Sequence, residues 1–166
     1  MKKERLNIIR NAVRCFYINN NHVLCLKTKD TNLKPGYLDV SGGKIEENET
    51  MEQTVIREFK EETGLDIENP TYRWIISVVL PEKTFRFNTF VVDKYSGKMK
   101  ETEEHIPLLM NIEDVLKCEK RFSCLVMLEP SFIKVLLDKT ETFKLVIHAN
   151  EEEKIKKLSF EVKRFK

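Results

Sequence analysis

Apolar runs of strand length follow one another along this chain, broken by polar stretches marked with Asn, Gly and Pro. One longer segment keeps a helical spacing instead. Residues 8–18, IIRNAVRCFYI, read as a strand, and HVLCLKT at 22–28 reads as a second. Asn19, Asn20 and Asn21 between them predict a hairpin turn, because Asn tolerates positive φ. Residues 28–37 are polar and carry Pro35-Gly36, a loop, and a short extended run from Tyr37 to Val40 follows. It ends at Ser41-Gly42-Gly43, where two glycines permit backbone angles that other residues resist. Thr50 with Gln53 three residues on forms a capping box, so a helix starts near Met51, and Gly64 supplies its stop. Met51, Val55, Ile56 and Phe59 are expected to form the buried stripe of that helix.

The second half repeats the strand pattern at 72–80 and 85–93, joined through Pro81-Glu82-Lys83. Residues 112–116 and 131–138 read as helices, and 143–148 and 158–162 as short strands. Strands, one central helix, more strands and a late helix predict an α/β fold with a mixed sheet between helical layers. No repeat or linker interrupts the order, so residues 1–166 are expected to form one domain.

Composition narrows the function classes. The chain is 41% hydrophobic and 34% charged with a net charge of +2, ordinary for a globular protein and weak for binding nucleic acid. The basic stretch 154–166 is interrupted by Glu161 and preceded by Glu151, Glu152 and Glu153, which fits a solvated face better than a phosphate patch. Cys15, Cys25, Cys118 and Cys124 form no C-x-x-C pair, so zinc is not expected, and Cys15 and Cys25, in apolar runs, are expected as buried free thiols. His22, His105 and His148 are scattered, and only His105 falls near the chemistry argued below. The N-terminus lacks an apolar signal core, and no run is long enough to span a bilayer. A cytoplasmic protein without membrane or nucleic-acid partners is the expectation, acting as monomer or homodimer.

Charge becomes informative within the helix. Glu58, Glu61 and Glu62 recur at i, i+3 and i+4, which puts them within roughly a third of the helix circumference. Like charges so close repel by a few tenths of a kcal/mol per pair. A divalent cation among them resolves the conflict, and all-oxygen donors favour Mg²⁺ or Mn²⁺. Arg57 sits one residue before this face and is expected to pair with Glu49, fixing the preceding loop to the helix. The two glycines at 42 and 43 also leave no side chain to obstruct a phosphate or a metal.

From Gly43 to Leu65 the sequence reads GKIEENETMEQTVIREFKEETGL. It resembles the Nudix box, Gly-x5-Glu-x7-Arg-Glu-(apolar)-x-Glu-Glu-x-Gly-(apolar), at every defined position. Phe59 is the one soft departure, an aromatic where the family usually has an aliphatic residue. The resemblance implies a Nudix fold, a mixed sheet in an α/β/α sandwich, and a metal-dependent hydrolase of phosphoric anhydride bonds. It implies Glu58, Glu61 and Glu62 as metal ligands, with the Gly43 carbonyl adding another donor.

The run GGKIE further resembles the MutT-like branch, the 8-oxo-dGTP diphosphatase-like members, in which the residue at Lys44 approaches substrate phosphate. Ser41 stands where that branch carries proline or an apolar residue, which predicts a looser local loop. Residues 93–115 resemble a second segment of the same branch, whose Glu-Glu pair supplies an added metal ligand or a general base. Carried over, the added ligand or base is Glu103 or Glu104, of which Glu103 is taken as the ligand and Glu104 as the base. Candidate catalytic residues are thus Glu61, Glu104, Arg57 and Glu49. Glu129 and Phe132 fall where members of the branch hold the purine. The implied reaction splits a nucleoside triphosphate into monophosphate and pyrophosphate, with 8-oxo-dGTP as the first substrate to test. Hydrolysis of ADP-ribose or a nucleotide sugar is the alternative, on the weak signal of Pro81. A sensing module that kept the fold and lost the chemistry is the other, against which the intact box argues.

Overall fold

The computed structural model describes residues 8–30, 34–138 and 141–164. In chain order its first strands are β1 (Ile8–Asn19), β2 (His22–Thr28), β3 (Leu38–Asp39) and β4 (Ser41–Lys44), followed by helix α1 (Met51–Thr63). Then come β5 (Thr71–Val79), β6 (Lys83–Val92), β7 (His105–Asn111) and α2 (Ile112–Lys117). A 3₁₀ turn at Ser123–Leu128, α3 (Pro130–Leu137), β8 (Glu141–Ala149) and β9 (Ile155–Arg164) complete it.

One mixed sheet runs β3-β2-β1-β6-β5-β8-β9, with β4 paired to β1 and β7 to β2. Parallel pairs occur at β1–β6 and β5–β8, and the remaining pairs are antiparallel. The Asn turn forms as the sequence predicts: Asn20 and Asn21 have φ of 48° and 60°. β1 is the hinge of the architecture. Its residues alternate between two separate cores, with Ala12, Phe16 and Ile18 in one, and Val13, Cys15 and Tyr17 in the other. The first core lies under α2, the 3₁₀ turn and α3, through Val115, Leu125 and Leu136. The second lies under α1, through Val55 and Phe59. Helices therefore cover both faces of the sheet, the α/β/α arrangement expected.

The helix α1 is fixed at both ends by its sequence. Thr50 Oγ accepts from the Gln53 N–H at 3.1 Å, and Gln53 Oε1 accepts from the Thr50 N–H at 2.9 Å. Gly64 ends it in the left-handed region at φ 79°, its N–H bonding Lys60 O. The buried stripe differs from the one expected. Val55 and Phe59 are buried, but Met51 and Ile56 are 38% and 37% exposed, and Thr54 and Thr63 take up the inner face. For Ile56 the cause is angular, since it is about 100° from Val55 and the sheet reaches only one side of the helix, whereas Met51 stands at the helix's first position.

A second correction concerns the glycine segment. Ser41–Lys44 is a strand, not a loop, in register with β1 from Ala12–Lys44 to Cys15–Ser41. Glycine is required there for space. A Cβ on Gly42 would stand 2.1 Å from Val13 O, and one on Gly43 would stand 2.2 Å from a Glu58 carboxylate oxygen. The pattern along the chain predicts no element at β7 or at the 3₁₀ turn, and it cuts β9 short. The 3₁₀ turn Ser123–Leu128 is buried throughout, and β9 extends well beyond the short strand expected at 158–162. Most of the basic stretch is thus an exposed edge strand; residues 165–166 lie outside the described residues.

Candidate active site

Burial and hydrogen bonding set the three box glutamates apart. Glu62 Oε1 accepts from Ser41 Oγ at 3.0 Å and from the Gly42 N–H at 2.9 Å. Ser41 is itself 1% exposed, so this segment is held firmly rather than loosely as expected. Burial pushes the Glu62 carboxyl up to about 8, against the bonds from Gly42 and Ser41 and the nearby Arg14 charge. Burial also raises Glu58, opposed by Arg57. Glu58 lies across Gly43, in the space a side chain there would fill. Glu61 is more open, its side chain 58% exposed.

Arg57 is the organiser of the loop. Its Nε and Nη2 bond the two oxygens of Glu49 at 2.6 and 3.0 Å, the bidentate pair predicted from sequence. Thr54 Oγ1 also donates to Glu49, at 2.9 Å. The Arg57 bonds hold the Glu49 carboxyl low, at about 2. The remaining nitrogen, Nη1, reaches Glu58 at 3.0 Å and Glu61 at 3.2 Å. Arg57 therefore neutralises, from the loop side, the same acidic face that a cation would occupy.

The donor set fits a hard divalent ion, since Glu58, Glu61, Glu62 and the Gly43 carbonyl offer oxygen alone. Burying two carboxylates beside each other is costly unless a positive charge compensates. Among the described residues, no three acidic, His or Cys groups stand close enough to enclose an ion as they are. Glu58 and Glu61 each give Arg57 Nη1 one oxygen, which leaves the second oxygen of each carboxylate for a cation.

Glu58, Glu61 and Glu62 line a cavity of about 580 Å³, whereas Gly43, Glu49 and Arg57 do not line it. Glu103, Glu104 and His105 also line it, so the structure brings both segments singled out in the sequence to one place. The tether is Gly64. A Cβ there would stand 2.8 Å from Lys98 O, and the Lys100 N–H bonds Thr63 O at 2.8 Å. Asp66 and Ser96 exchange two backbone bonds of 3.0 Å beside it. The end of α1 thereby sets the position of the loop that carries Glu103 and Glu104. Burial holds His105 below its usual value, and its Nδ1 is 3.8 Å from Glu62 Oε2.

Three candidates stand elsewhere. Lys44 is exposed at the end of β4, and neither it, Glu129 nor Phe132 is among the residues lining the cavity. Glu129 caps α3 without a side-chain bond, and Phe132 packs edge-on against Phe160. The cavity instead has Arg14, Asp39 and Phe122, which the sequence reading missed. Arg14 stacks on the Phe87 ring at 4.2 Å and lies 3.8 Å from Asp39. Burial works against its charge, but Asp39, Glu62 and Glu58 outweigh that and keep it protonated. The available signal was a lone arginine inside the apolar run AVRCFYI of a central strand.

A domain model described as NUDIX domain matches residues 9–123, which takes in the box, the Glu103-Glu104 segment and the cavity. The chain belongs to the Nudix hydrolase family. It is 29% identical over 105 residues to an uncharacterised Nudix hydrolase, YvcI, from Bacillus subtilis, covering 60% of this chain and 64% of that protein. It is 28% identical over 101 residues to an 8-oxo-dGTP diphosphatase from Proteus vulgaris, covering 61% and 88%. In fold it resembles the MutT protein of Bacillus halodurans, with a TM-score of 0.72 at 23% identity, over 92% of this chain and 97% of that one. Among the described residues, no helix is long and apolar enough to cross a membrane.

Proposed function

We propose that this Nudix hydrolase cleaves a nucleoside triphosphate to a monophosphate and pyrophosphate, using Mg²⁺ or Mn²⁺, with an oxidised purine such as 8-oxo-dGTP as preferred substrate. The observation that carries the reading is the meeting of Glu58, Glu61 and Glu62 with Glu103 and Glu104 around one cavity. The name of the Proteus relative supports the substrate class. Pro81, the signal for a nucleotide sugar, has an ordinary explanation in the β5–β6 turn, closed by the Leu80 N–H to Lys83 O bond.

Glu58, Glu61, Glu62 and the Gly43 carbonyl would hold the ion, with Glu103 as a further ligand. When bound, such an ion neutralises phosphate charge and makes water a better nucleophile. The chain's own residues do the rest. Glu104, on the cavity wall, takes a proton from the attacking water as its oxygen bonds to phosphorus and the anhydride P–O bond breaks. Arg57 and Glu49 keep the loop in register with α1. Lys44, on the exposed end of β4, offers a mobile charge to a phosphate reaching that rim. Asp39 and Phe122 mark the part of the cavity suited to a base.

A substrate panel scored separately for pyrophosphate, phosphate and AMP tests the reading. The expected outcome is pyrophosphate from triphosphates, at least about tenfold better kcat/KM than for ADP-ribose, with oxidised purines leading. A preference for ADP-ribose, with no pyrophosphate released, overturns it.

A further inference from the structure

A slot of about 70 Å³ shares Arg14, Asp39 and Phe122 with the cavity. Phe85, Phe87, Ser123 and Glu153 also line it. The last of these comes from outside residues 9–123, the span that matches the family. Glu153 lies in the turn between β8 and β9, at φ 63°, a region that glutamate seldom occupies. Asn150 builds the turn, its Oδ1 accepting from the N–H groups of Glu152 and Lys154. The result points a glutamate inward from an exposed hairpin: its side chain is only 7% exposed.

Two observations mark the slot as a place for a ligand. Glu153 Oε2 accepts from the Ser123 N–H at 3.2 Å, and Oε1 is 3.7 Å from Lys34 Nζ, which leaves acceptor capacity on both oxygens. Independently, Ser123 Oγ and Arg14 Nε are buried without a hydrogen-bond partner among the described residues. Buried polar atoms are nearly always satisfied, so two orphans on one small slot need an explanation. A ligand edge whose acceptor takes bonds from Arg14 Nε and Ser123 Oγ, while its donor meets the Glu153 carboxylate, supplies it. The slot is too small for a whole base and admits one edge of a base lying in the main cavity.

We propose that Glu153 is a specificity-determining residue, accepting a hydrogen bond from the exocyclic amino group of a guanine-type base whose carbonyl faces Arg14. The inference rests on the reading of the chain as a nucleotide hydrolase, and it assigns a recognition role to the hairpin beyond the family domain. Adenine lacks the carbonyl for Arg14. Hypoxanthine keeps the guanine ring and carbonyl but lacks the amino group, so it isolates the contact.

The experiment is calorimetric binding of dGMP and dIMP to the full chain, wild type and variants. Wild type is expected to bind dGMP at least about tenfold tighter than dIMP. Glu153→Gln keeps the side-chain shape and the bond from Ser123 but presents an NH₂ to the amino group, so the ratio should fall to about one or invert. Glu153→Ala should also abolish the ratio. Lys34→Met removes the ion pair that steadies the turn, and should lower Tm while the ratio persists. A wild-type ratio near one, an unchanged ratio in Glu153→Gln, or an equal loss of both nucleotides would overturn the proposal. A dGMP preference sensitive to Glu153, in a protein that releases no pyrophosphate from any triphosphate, would uphold it and reject the proposed reaction.

Discussion

At the scale of single residues, glutamates that look alike in the sequence have been given different work by their surroundings. Glu49 is held ionised by Arg57, whereas Glu62 is pushed toward its neutral form by burial. Glu62→Gln keeps an oxygen to accept from Ser41 and Gly42, so folding should survive while kcat falls by roughly 10²-fold or more. Loss of activity that tracks unfolding in the same variant would refute a ligand role. Gly43→Ala makes a sharper test. Its methyl would collide with Glu58 at 2.2 Å, and that flexible side chain must swing away. Activity should drop while Tm moves little, measured side by side. The box residues were legible because their spacing is fixed within one segment. Arg14 and Asp39 were not, because cross-strand registers set their meeting: Arg14 opposite Gly42, and Asp39 opposite Leu26.

At the scale of elements, the limits of α1 could be read from Thr50, Gln53 and Gly64, since caps are local chemistry. Its buried face could not, because the position of the sheet decides which side of a helix is covered. The 3₁₀ turn failed for a related reason. SCLVML is an apolar run with no helical or strand period, and only its place beneath β5 and β8 explains its burial. Thr50→Ala should cost about 1 kcal/mol, visible as a modest fall in Tm with normal turnover. Gly64→Ala should do more. It forces a left-handed residue and pushes on Lys98 O at 2.8 Å, where the Glu103-Glu104 loop is tethered. Both Tm and kcat should fall in that variant; a stability loss alone would mean that the loop is positioned by something else.

At the scale of the whole molecule, two cores on opposite faces of one sheet leave the acidic face of α1 as the place where folding and chemistry compete. The alternation of apolar residues along β1 was enough to foresee a strand, but not that its two faces serve separate cores. The cost of this arrangement should appear as a pH dependence of stability. In the metal-free protein the Glu62 carboxyl holds its proton to about 8, while in the unfolded chain it releases it near 4.5. Between those values the folded state binds more protons, so the Glu62 contribution to stability falls as pH rises. Glu49 has the opposite sign, but its contribution is complete above about 4.5 and is lost only toward pH 2. His105, lowered by burial, disfavours the folded state only as pH drops below about 6.5. Burial also raises Cys15, Cys25 and Cys124, but their unfolded thiols ionise near 9, so the raised carboxylates dominate the window from pH 7 to 8. In EDTA, Tm should decline across that window, and Glu62→Gln should flatten the decline. A divalent ion that binds the ionised carboxylates should reverse it, stabilising the protein more at pH 8 than at pH 7. If wild type and Glu62→Gln show the same slope in EDTA, Glu62 ionises at its ordinary value and the metal has no proton to displace there.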